Sequence, residues 1–516
     1  MPLSPKAYTF LCGCFAALGS ILFGYDLGVI AAVLPAPDFL RVTDNPNPTF
    51  EGFIVSSLTL GAFCGCIPAS LIADKFSRRM AIFVGAIIFL LGGILQTAAS
   101  NREMMLAGRF FAGLSIGMLS LLAPLYQSEI AHPSIRGRLT TLQQFFLGIG
   151  AFIAGWIGYA TTETSWGTAL QWRLPLAFQL LPAIPLAGMI FLLPESPRWL
   201  MIVGREEESL TTLARLHARG NENDAFVQEE FKEMRLKVRE EANAESAWRQ
   251  IFGDRTNLRK VMLGVTLQFS VQMTGVSVLQ YYSARVFSGV GFKPNTTFLL
   301  QSINSVLALF AQAACVIWID KTGRRWPMII GNIGSGCTFI GATIIQAKFA
   351  NGNGTKSDGY AFVAMTWIFN VFFSACIGPL SWAYPVEIMN TAIRAKATAL
   401  TSMSCWIANF MIGQISPEVF KAIDWKYYIV FSVCGFSNAL VIWLFFPETA
   451  GRTLESMDRL FKESPLIVPF SNYDWKQGTR GDTESALEQP STPVDEKNEL
   501  KGELSHEETH DVNRLH

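Results

Sequence analysis

Twelve apolar runs, each about as long as a lipid bilayer is thick, constrain the fold of this chain most strongly. A helix needs ~20 apolar residues to cross a hydrocarbon core of ~30 Å, and its backbone hydrogen bonds are satisfied internally. Half of the 516 residues are hydrophobic and only 16% are charged, which is typical of a membrane protein. The chain is therefore predicted to be an all-α membrane protein with twelve transmembrane helices, at about residues 8–33, 52–73, 80–100, 104–126, 140–160, 173–193, 261–283, 298–319, 327–347, 360–384, 396–416 and 427–446.

The polar segments divide the chain into four predicted parts. Residues 8–193 hold the first six runs and residues 261–446 hold the other six, so each part is predicted to form a six-helix bundle. The polar stretch 194–260 has apolar residues at helical spacing, which predicts amphipathic helices in a linker. Residues 447–516 form a tail, and its polar, charge-rich composition after about residue 465 predicts disorder.

Short basic clusters lie in loops on one side of the predicted membrane, the side that also holds both termini and the linker. Because loops rich in Lys and Arg stay in the cytoplasm, this side is predicted to be cytoplasmic, and we expect the membrane to be the plasma membrane. Two N-x-S/T sequons, at Asn295 and Asn353, fall in loops on the other side and are predicted glycosylation sites. The basic clusters lie at 74–79, 136–138, 320–325 and 394–396.

Several other classes of protein are excluded by the composition. The nine cysteines lie in or beside apolar runs, which predicts buried small side chains and neither a disulfide framework nor a metal site. No paired catalytic acids or nucleotide loop are recognisable, and His132 is expected to be a solvated surface residue, so neither an enzyme nor a cofactor is predicted. A formal net charge of zero without a basic stripe argues against nucleic acid as a partner.

Three motifs occur once in each half of the chain at nearly constant offset. The motifs are DKxxRR at 74–79 and 320–325, E-x6-R from Glu129 and from Glu387, and a Pro-Glu pair at 194–195 and 447–448. Motifs that repeat at the same topological position indicate two six-helix repeats in parallel orientation, the arrangement of major facilitator transporters, which bind substrate at the midplane between the halves.

The segments PESPRWL (194–200) and PETAGRTLE (447–455), together with the paired loops, closely resemble the sugar porter family of the major facilitator superfamily over about residues 8–460. The resemblance implies sugar transport by a chain that we expect to function as a monomer. It also implies a cytoplasmic gate, in which ion pairs across the two halves hold the inner side closed; the alternative is that these charges only set the topology. The predicted gate residues are Asp74, Arg78, Arg79, Glu129, Arg136, Glu195, Arg198, Asp320, Arg324, Arg325, Glu387, Arg394 and Glu448.

The resemblance further implies a sugar site of amide and aromatic side chains inside the helices. Gly378 and Pro379 are expected to bend the tenth helix beside the cavity. The alternative for each polar residue is a structural hydrogen bond between helices. The predicted substrate contacts are Gln144, Gln272, Ser277, Asn304, Trp382, Trp406 and Asn409, and the predicted extracellular gate is Tyr281 and Tyr282.

The predicted pocket has fewer amide groups than the family's common hexose pattern. Val271 stands where a glutamine is usual, Ser277 where an asparagine is usual, and Cys405 where many relatives have asparagine or glutamine. A pentose, a disaccharide, a polyol and a sugar acid therefore remain open as substrates besides a hexose.

The motif FGYDLG (23–28) places Asp26 within the first apolar run, and Arg109 lies at a matching depth in the fourth. A carboxylate at the centre of a membrane helix costs roughly 2.5–3.5 kcal/mol, so a partner is expected. The pair resembles the proton-coupling pair of sugar/proton symporters, which implies import of sugar by proton symport with alternating access; the partners are then a sugar, a proton and the lipid bilayer. A permanently paired Asp26 would instead fit a facilitated-diffusion uniporter, and a non-transporting sugar sensor is a further alternative.

Overall fold

The computed structural model describes residues 4–243, 247–390, 393–450, 452 and 454–469. Membrane-length helices, α1 to α12, dominate these residues, and several are interrupted by a turn within the membrane. Their bounds are α1 Pro5–Ala16 and Leu18–Val33, α2 Pro48–Lys75, α3 Arg78–Thr97, α4 Arg102–Ile130, α5 Pro133–Ser165, α6 Leu170–Phe178 and Leu180–Met189, α7 Arg255–Gln272 and Val276–Tyr281, α8 Pro294–Thr322, α9 Arg325–Ala350, α10 Lys356–Phe372 and Gly378–Ile388, α11 Arg394–Ile423, and α12 Tyr427–Phe445.

The number of membrane-spanning helices agrees with the twelve predicted. In the described part of the chain, ten helical segments are long and apolar enough to cross a membrane. One of them, Arg394–Phe445, contains both α11 and α12, because only the short turn Asp424–Lys426 separates these helices. α7 adds the twelfth; Arg255, Arg259 and Lys260 in its first turns make it more polar than the other ten segments.

Two helices of the second half are broken where the sequence lowers helix stability. α7 stops at Gln272 and resumes at Val276, and between them Gly275 has a φ of +88°, which favours glycine. The seventh helix, predicted at about 261–283, is thus interrupted within its span. α10 widens into a π-helical turn, Phe373–Ile377, which ends two residues before Pro379, because a proline has no N–H to continue the helical ladder.

The helices form two six-helix halves, α1–α6 and α7–α12, which meet along α2 and α11 and along α5 and α8. We call the face that carries the segment 197–253 the linker side and the opposite face the far side. The α2–α3, α8–α9 and α10–α11 loops lie on the linker side, and the α3–α4, α7–α8 and α9–α10 loops on the far side.

The far side is closed by direct contact between α2 and α11. Ser56 Oγ donates to Gln414 Oε1 at 2.8 Å, and Gln414 Nε2 donates in turn to the Thr49 carbonyl at 2.9 Å. Thr49 Oγ1 donates to Glu418 Oε1 at 2.6 Å. The backbones approach so closely that a Cβ on Gly52 would lie 2.4 Å from the Gln414 carbonyl oxygen. Access from the far side is therefore blocked in this conformation.

The linker helices pack under the first half of the molecule. Thr9 Oγ1 at the start of α1 donates to the Leu216 carbonyl at 3.1 Å, and the ring of His217 lies 3.3 Å from the Ile130 carbonyl at the end of α4. His217 also contacts the carboxylate of Glu230, with 2.7 Å between Nδ1 and Oε2. The described linker helices are Pro197–Ile202, Glu206–His217, Ala225–Asn243 and Ala247–Gly253.

His132 is part of this junction, which corrects the expectation of a solvated surface residue. Its ring stacks on Phe226 with 5.0 Å between centroids and meets His217 edge to face at 5.1 Å. The linker helices cover the α4–α5 loop and leave His132 half-buried.

A tail helix, Leu454–Glu463, docks on the linker side of the second half. Its residues Leu460 and Phe461 are buried, and Asp458 forms an ion pair with Lys260 at the start of α7. Beyond the helix, the Val468 N–H donates to the Leu444 carbonyl at 2.7 Å. Packed structure thus continues past the predicted onset of disorder at residue 465, while 470–516 lies outside the described residues.

Candidate functional site

Asp26 and Arg109 form an ion pair inside the first half. Arg109 Nη1 lies 3.3 Å from Asp26 Oδ1, and both side chains are fully buried. Each residue lies about two helical turns from the far end of its helix, as the predicted matching depths require. Asp26 Oδ2 and Arg109 Nε and Nη2 have no hydrogen-bond partner among the described residues.

The mutual attraction of Asp26 and Arg109 only partly offsets the cost of burying both charges. Removing two ions from water costs several kcal/mol for each, and the mutual attraction offsets this fully only where the geometry is good and the remaining polar atoms are satisfied. In this pair one 3.3 Å contact joins the two groups, and atoms on both sides are unsatisfied. A proton or a water molecule at Asp26 Oδ2 would therefore meet an acceptor that the surrounding protein leaves open.

The break in α7 places two predicted sugar contacts against each other. Ser277 Oγ donates to Gln272 Oε1 at 2.8 Å, although residues five apart are not neighbours on a regular helix. The other end of the same amide, Gln272 Nε2, donates to Cys405 Sγ on α11 at 3.2 Å. Gln272, Ser277 and Cys405 thus form one chain of hydrogen bonds between α7 and α11.

Tyr281 and Tyr282, the predicted extracellular gate, are buried against α11. Tyr281 OH donates to Asn409 Oδ1 at 2.9 Å, and Tyr282 OH donates to the Gly413 carbonyl at 2.7 Å. Gly413 directly precedes Gln414, which joins α11 to α2. The two hydroxyl groups therefore attach α7 to the part of α11 that closes the far side, and the substrate candidate Asn409 is engaged by one of them.

Asn304 and Gln144 approach α10 from two directions. Asn370 Nδ2 on α10 donates to Asn304 Oδ1 at 3.1 Å. Gln144 on α5 reaches the interrupted part of α10, since a Cβ on Gly378 would lie 3.7 Å from its Nε2. Trp382, one turn further along α10, is partly buried against the hydrophobic core. Asn304 thus contacts α10 before its π-helical turn, and Gln144 of the other half reaches α10 directly after that turn.

Trp406 joins the two halves through an aromatic contact. It is fully buried, and its ring meets Phe23 of α1 with 5.0 Å between centroids. Phe23 lies in the same motif as Asp26, so the aromatic contact links the ion-pair region to α11. Neither Phe23 nor Asn370 was predicted as a site residue; an asparagine within the tenth apolar run was a signal for Asn370, whereas a phenylalanine among apolar residues gave none.

In the first half, the predicted gate charges build a compact network at the linker side. Arg78 binds Glu129 through two hydrogen bonds, of 2.9 and 3.0 Å, and donates to the Ala73 carbonyl at 2.9 Å. Arg79 Nε pairs with Glu195 Oε2 at 2.9 Å. These contacts join α2, α3, α4 and the PESPR segment, all within one half.

The second half repeats the arrangement. Arg324 pairs with Glu387 at 2.9 Å and donates to the Ile319 carbonyl at 3.1 Å. Glu448 accepts hydrogen bonds from the backbone N–H groups of Arg324 and Arg325, at 2.8 and 3.0 Å. The Arg324–Glu387 pair and the two pairs of the first half each join elements of the same half. The predicted pairs across the halves belong to the state in which the inner side is closed, so they stay a prediction. In this conformation, in which the far side is closed, the ion pairs seen on the linker side stabilise each half separately.

The remaining predicted gate and glycosylation residues are placed as follows. Arg394 Nη2 donates to the Met389 carbonyl at 3.1 Å, and Arg198 lies half-buried in the first turn of the linker helix Pro197–Ile202. Asn295 and Asn353 are exposed on the far side, and Asn295 Nδ2 donates to Glu163 Oε2 of the other half at 2.7 Å. The side chains of Asp74, Arg136 and Asp320 lie outside the described residues.

The described residues form twelve membrane-length helices in two halves that meet along α2 and α11 and along α5 and α8, which is the architecture of a major facilitator transporter. The family model described as "Sugar (and other) transporter" matches residues 12–461, and the chain belongs to this family. It is thus a multi-pass membrane transporter and not an enzyme.

Individual relatives agree with this assignment. The chain is 32% identical to the high-affinity glucose transporter of Kluyveromyces lactis over 489 residues, covering 91% of this chain and 88% of the relative. It is 30% identical to the high-affinity fructose transporter ght6 of Schizosaccharomyces pombe, covering 96% and 94%. Among solved structures, the proton:xylose symporter XylE bound to 6-bromo-6-deoxy-D-glucose matches with a TM-score of 0.73 at 25% identity, covering 88% of this chain and 99% of that chain.

Proposed function

We propose that the protein imports a hexose together with a proton by alternating access. The observation that carries this proposal is the buried Asp26–Arg109 pair, in which one carboxylate oxygen and two guanidinium nitrogens are unsatisfied. A proton on Asp26 would remove one of two buried charges. The conformational free energy of the first half therefore depends on whether Asp26 is protonated. The symport described for the structural neighbour XylE and the sugars named for the fungal relatives support the same assignment.

In the proposed cycle, Asp26 is protonated while the far side is open. Its attraction to Arg109 then weakens, and α1 and α4 can shift relative to each other around the bound sugar. Closure of α2 onto α11, as in this structure, follows and opens the site to the linker side. The proton leaves into the less acidic compartment, and the Asp26–Arg109 pair forms again.

The sugar is proposed to bind between the halves. Gln272, Asn304 and Trp382 of the second half and Gln144 of the first half provide amide groups and an aromatic face; Trp406, Asn409 and Ser277 complete the wall. The hydrogen bonds of the amide pair Asn304–Asn370 and of Gln272 orient these groups before any ligand binds. Pre-oriented donors and acceptors lower the entropy cost of binding a flexible, polyhydroxylated ligand.

The proposed orientation follows from the positive charges on the linker side. Arg78, Arg79, Arg324 and Arg325 lie there, so this side is proposed to be cytoplasmic, with both termini inside and the plasma membrane as location. Asn295 and Asn353 would then face the exterior, the side that faces the lumen of the endoplasmic reticulum when glycosylation takes place. The monomer is proposed as the functional unit, because the site is formed between the two halves of one chain.

Uptake of labelled glucose in yeast cells without hexose carriers tests this function. We expect accumulation above the external concentration, faster uptake at acidic than at neutral external pH, and loss of accumulation when a protonophore is added. Uptake that ignores both pH and protonophore would instead establish a facilitated-diffusion uniporter. Signalling without any uptake would establish a sensor.

A further inference from the structure

Gln272 is held at both ends of its amide group. Its Oε1 accepts a hydrogen bond of 2.8 Å from the Ser277 hydroxyl, and its Nε2 donates to Cys405 Sγ at 3.2 Å. The exposed fractions are 7% for Gln272, 2% for Ser277 and 4% for Cys405, so bulk water does not supply alternative partners. The two hydrogen bonds therefore define the orientation of the side chain in this structure.

The two bonds differ in strength because their partners differ in chemistry. A hydroxyl group donating to an amide oxygen is an ordinary hydrogen bond, whereas a thiol sulfur is a weak acceptor. The Ser277 bond fixes the amide plane and leaves Nε2 pointing toward α11. The Cys405 bond is the one that a better acceptor would replace.

A buried N–H group without any acceptor is destabilising, so Gln272 Nε2 needs a protein partner whenever no sugar is bound. A strong acceptor at position 405 would meet that need but would also compete with a sugar oxygen for the same N–H group. Cys405 accepts a hydrogen bond from Gln272 Nε2 but competes only weakly with a sugar oxygen for this N–H group.

We propose that Cys405 is a positioning residue that holds Gln272 Nε2 through the hydrogen bond seen here and releases it to a hydroxyl oxygen of the sugar. This inference rests on the proposed function, because it takes Gln272 as a sugar contact. The ligand class is a polyhydroxylated sugar with an acceptor oxygen at the contact between α7 and α11. The strength of the acceptor at position 405 sets the apparent affinity for that sugar.

Substitutions at Cys405 test this role because the proposal predicts opposite signs for two small changes. Cys405→Ala removes the competing acceptor, and KM for labelled glucose is expected to fall about twofold to threefold, the low end of a net hydrogen bond. Cys405→Ser introduces a stronger acceptor of similar size, and KM is expected to rise about threefold to tenfold. In both variants kcat is expected to change less than KM.

Matched controls separate this role from packing. Cys315 on α8 is also a buried thiol, with an exposed fraction of 1%, and its alanine and serine variants are expected to leave KM unchanged. If Cys405 only fills space, both substitutions at that position shift KM in the same direction or not at all, and the proposal is wrong. Thermal unfolding of each purified variant identifies any that fail to fold. If Cys405→Ser fails to fold, Cys405→Thr replaces it as the hydroxyl substitution.

The experiment distinguishes failure of this inference from failure of the proposed function. Gln272→Ala is measured beside the Cys405 variants and is expected to raise KM about tenfold through loss of a sugar contact. One outcome is that KM rises in Gln272→Ala while alanine and serine at position 405 have no opposite effects on KM. This result would keep Gln272 as a sugar contact and overturn the role of Cys405. An unchanged KM in Gln272→Ala would show that Gln272 is not a sugar contact. This result would overturn both the proposed contact of Gln272 and the positioning role of Cys405.

Discussion

Asp38 fastens the loop between α1 and α2 to α6 on the far side. Trp172 Nε1 donates to Asp38 Oδ2 at 3.0 Å, and Arg41 pairs with the other carboxylate oxygen. The hydrogen bond from Trp172, reinforced by the charges of Arg41 and Arg173, outweighs burial and lowers the pKa of Asp38 below its ordinary value of 3.8. A pKa lowered by folding stabilises the folded protein above the ordinary pKa, and this stabilisation is lost as pH falls through the lowered pKa. The loop therefore stays fastened in a moderately acidic medium.

Trp172→Phe tests this contact by removing the indole donor and keeping an aromatic ring against Phe39, which lies 5.5 Å away between centroids. The pKa of Asp38 is expected to rise toward 3.8, so the stabilisation that Asp38 contributes above this pH is reduced, and the melting temperature should fall less on acidification than in the wild type. The melting temperature of the purified protein, followed from neutral to acidic pH, measures the shift. Asp38→Asn serves as control because it removes the titrating group. Identical acid profiles of the wild type and Trp172→Phe would contradict the account.

Single residues differ in how far the sequence predicts their contacts. The Asp26–Arg109 pair was predictable, because a buried charge needs a partner and depth can be counted from the helix ends. The contact between Ser277 and Gln272 was not, because it exists only where α7 breaks near Gly275. Hydrophobic periodicity carries no information on such a break.

The two basic loops between helices are alike in sequence and different in backbone. In the α2–α3 loop, Ser77 has an extended φ of 168° and caps α3 by accepting the Met80 N–H at 3.0 Å. In the α8–α9 loop, Gly323 has a φ of +80°, and a Cβ there would lie 2.5 Å from Glu448 Oε2. Glu448 can thus bind the backbone N–H of Arg324 only beside a glycine. The repeated motif predicted that the loops are related, but it did not predict this difference in backbone.

Gly323→Ala is expected to lower stability through two effects, backbone strain and contact with Glu448. Strain at a positive φ costs about 1–2 kcal/mol for a residue with a Cβ. Gly352→Ala is the matched control: its φ is +75°, and a Cβ there would meet nothing within 4 Å. Thermal unfolding should show a larger loss for Gly323→Ala than for Gly352→Ala. Equal losses in the two variants would show that the Glu448 contact contributes nothing.

The two halves of the molecule are held in one of the states of a transport cycle. Hydropathy and the repeated motifs predicted twelve helices in two halves, because these properties are required in every state. Which side is closed could not be predicted, since one sequence must support both arrangements with a small difference in free energy. Contacts such as Ser56–Gln414 and Thr49–Glu418 exist only when the far side is closed.

Gly52→Leu should prevent this closure, because the α2 and α11 backbones leave no room for a side chain there. The variant is expected to remain open to the far side, with slow transport and retained binding of sugar from that side. Labelling of Ser56→Cys by an impermeant maleimide measures the opening, since Ser56 is fully buried in the closed state. Gly188→Leu is the control, because a Cβ there meets nothing within 4 Å. Unchanged labelling in Gly52→Leu would show that closure does not depend on this contact.

Proton movement driven by sugar tests the central claim most directly. The protein is reconstituted into liposomes that contain a pH indicator, glucose is added outside without any imposed pH gradient, and the internal pH is recorded. The account predicts that glucose acidifies the interior in the wild type, and that Asp26→Asn carries out glucose exchange without any pH change. Glucose entry without acidification in the wild type, or acidification that persists in Asp26→Asn, would contradict coupling through the Asp26–Arg109 pair.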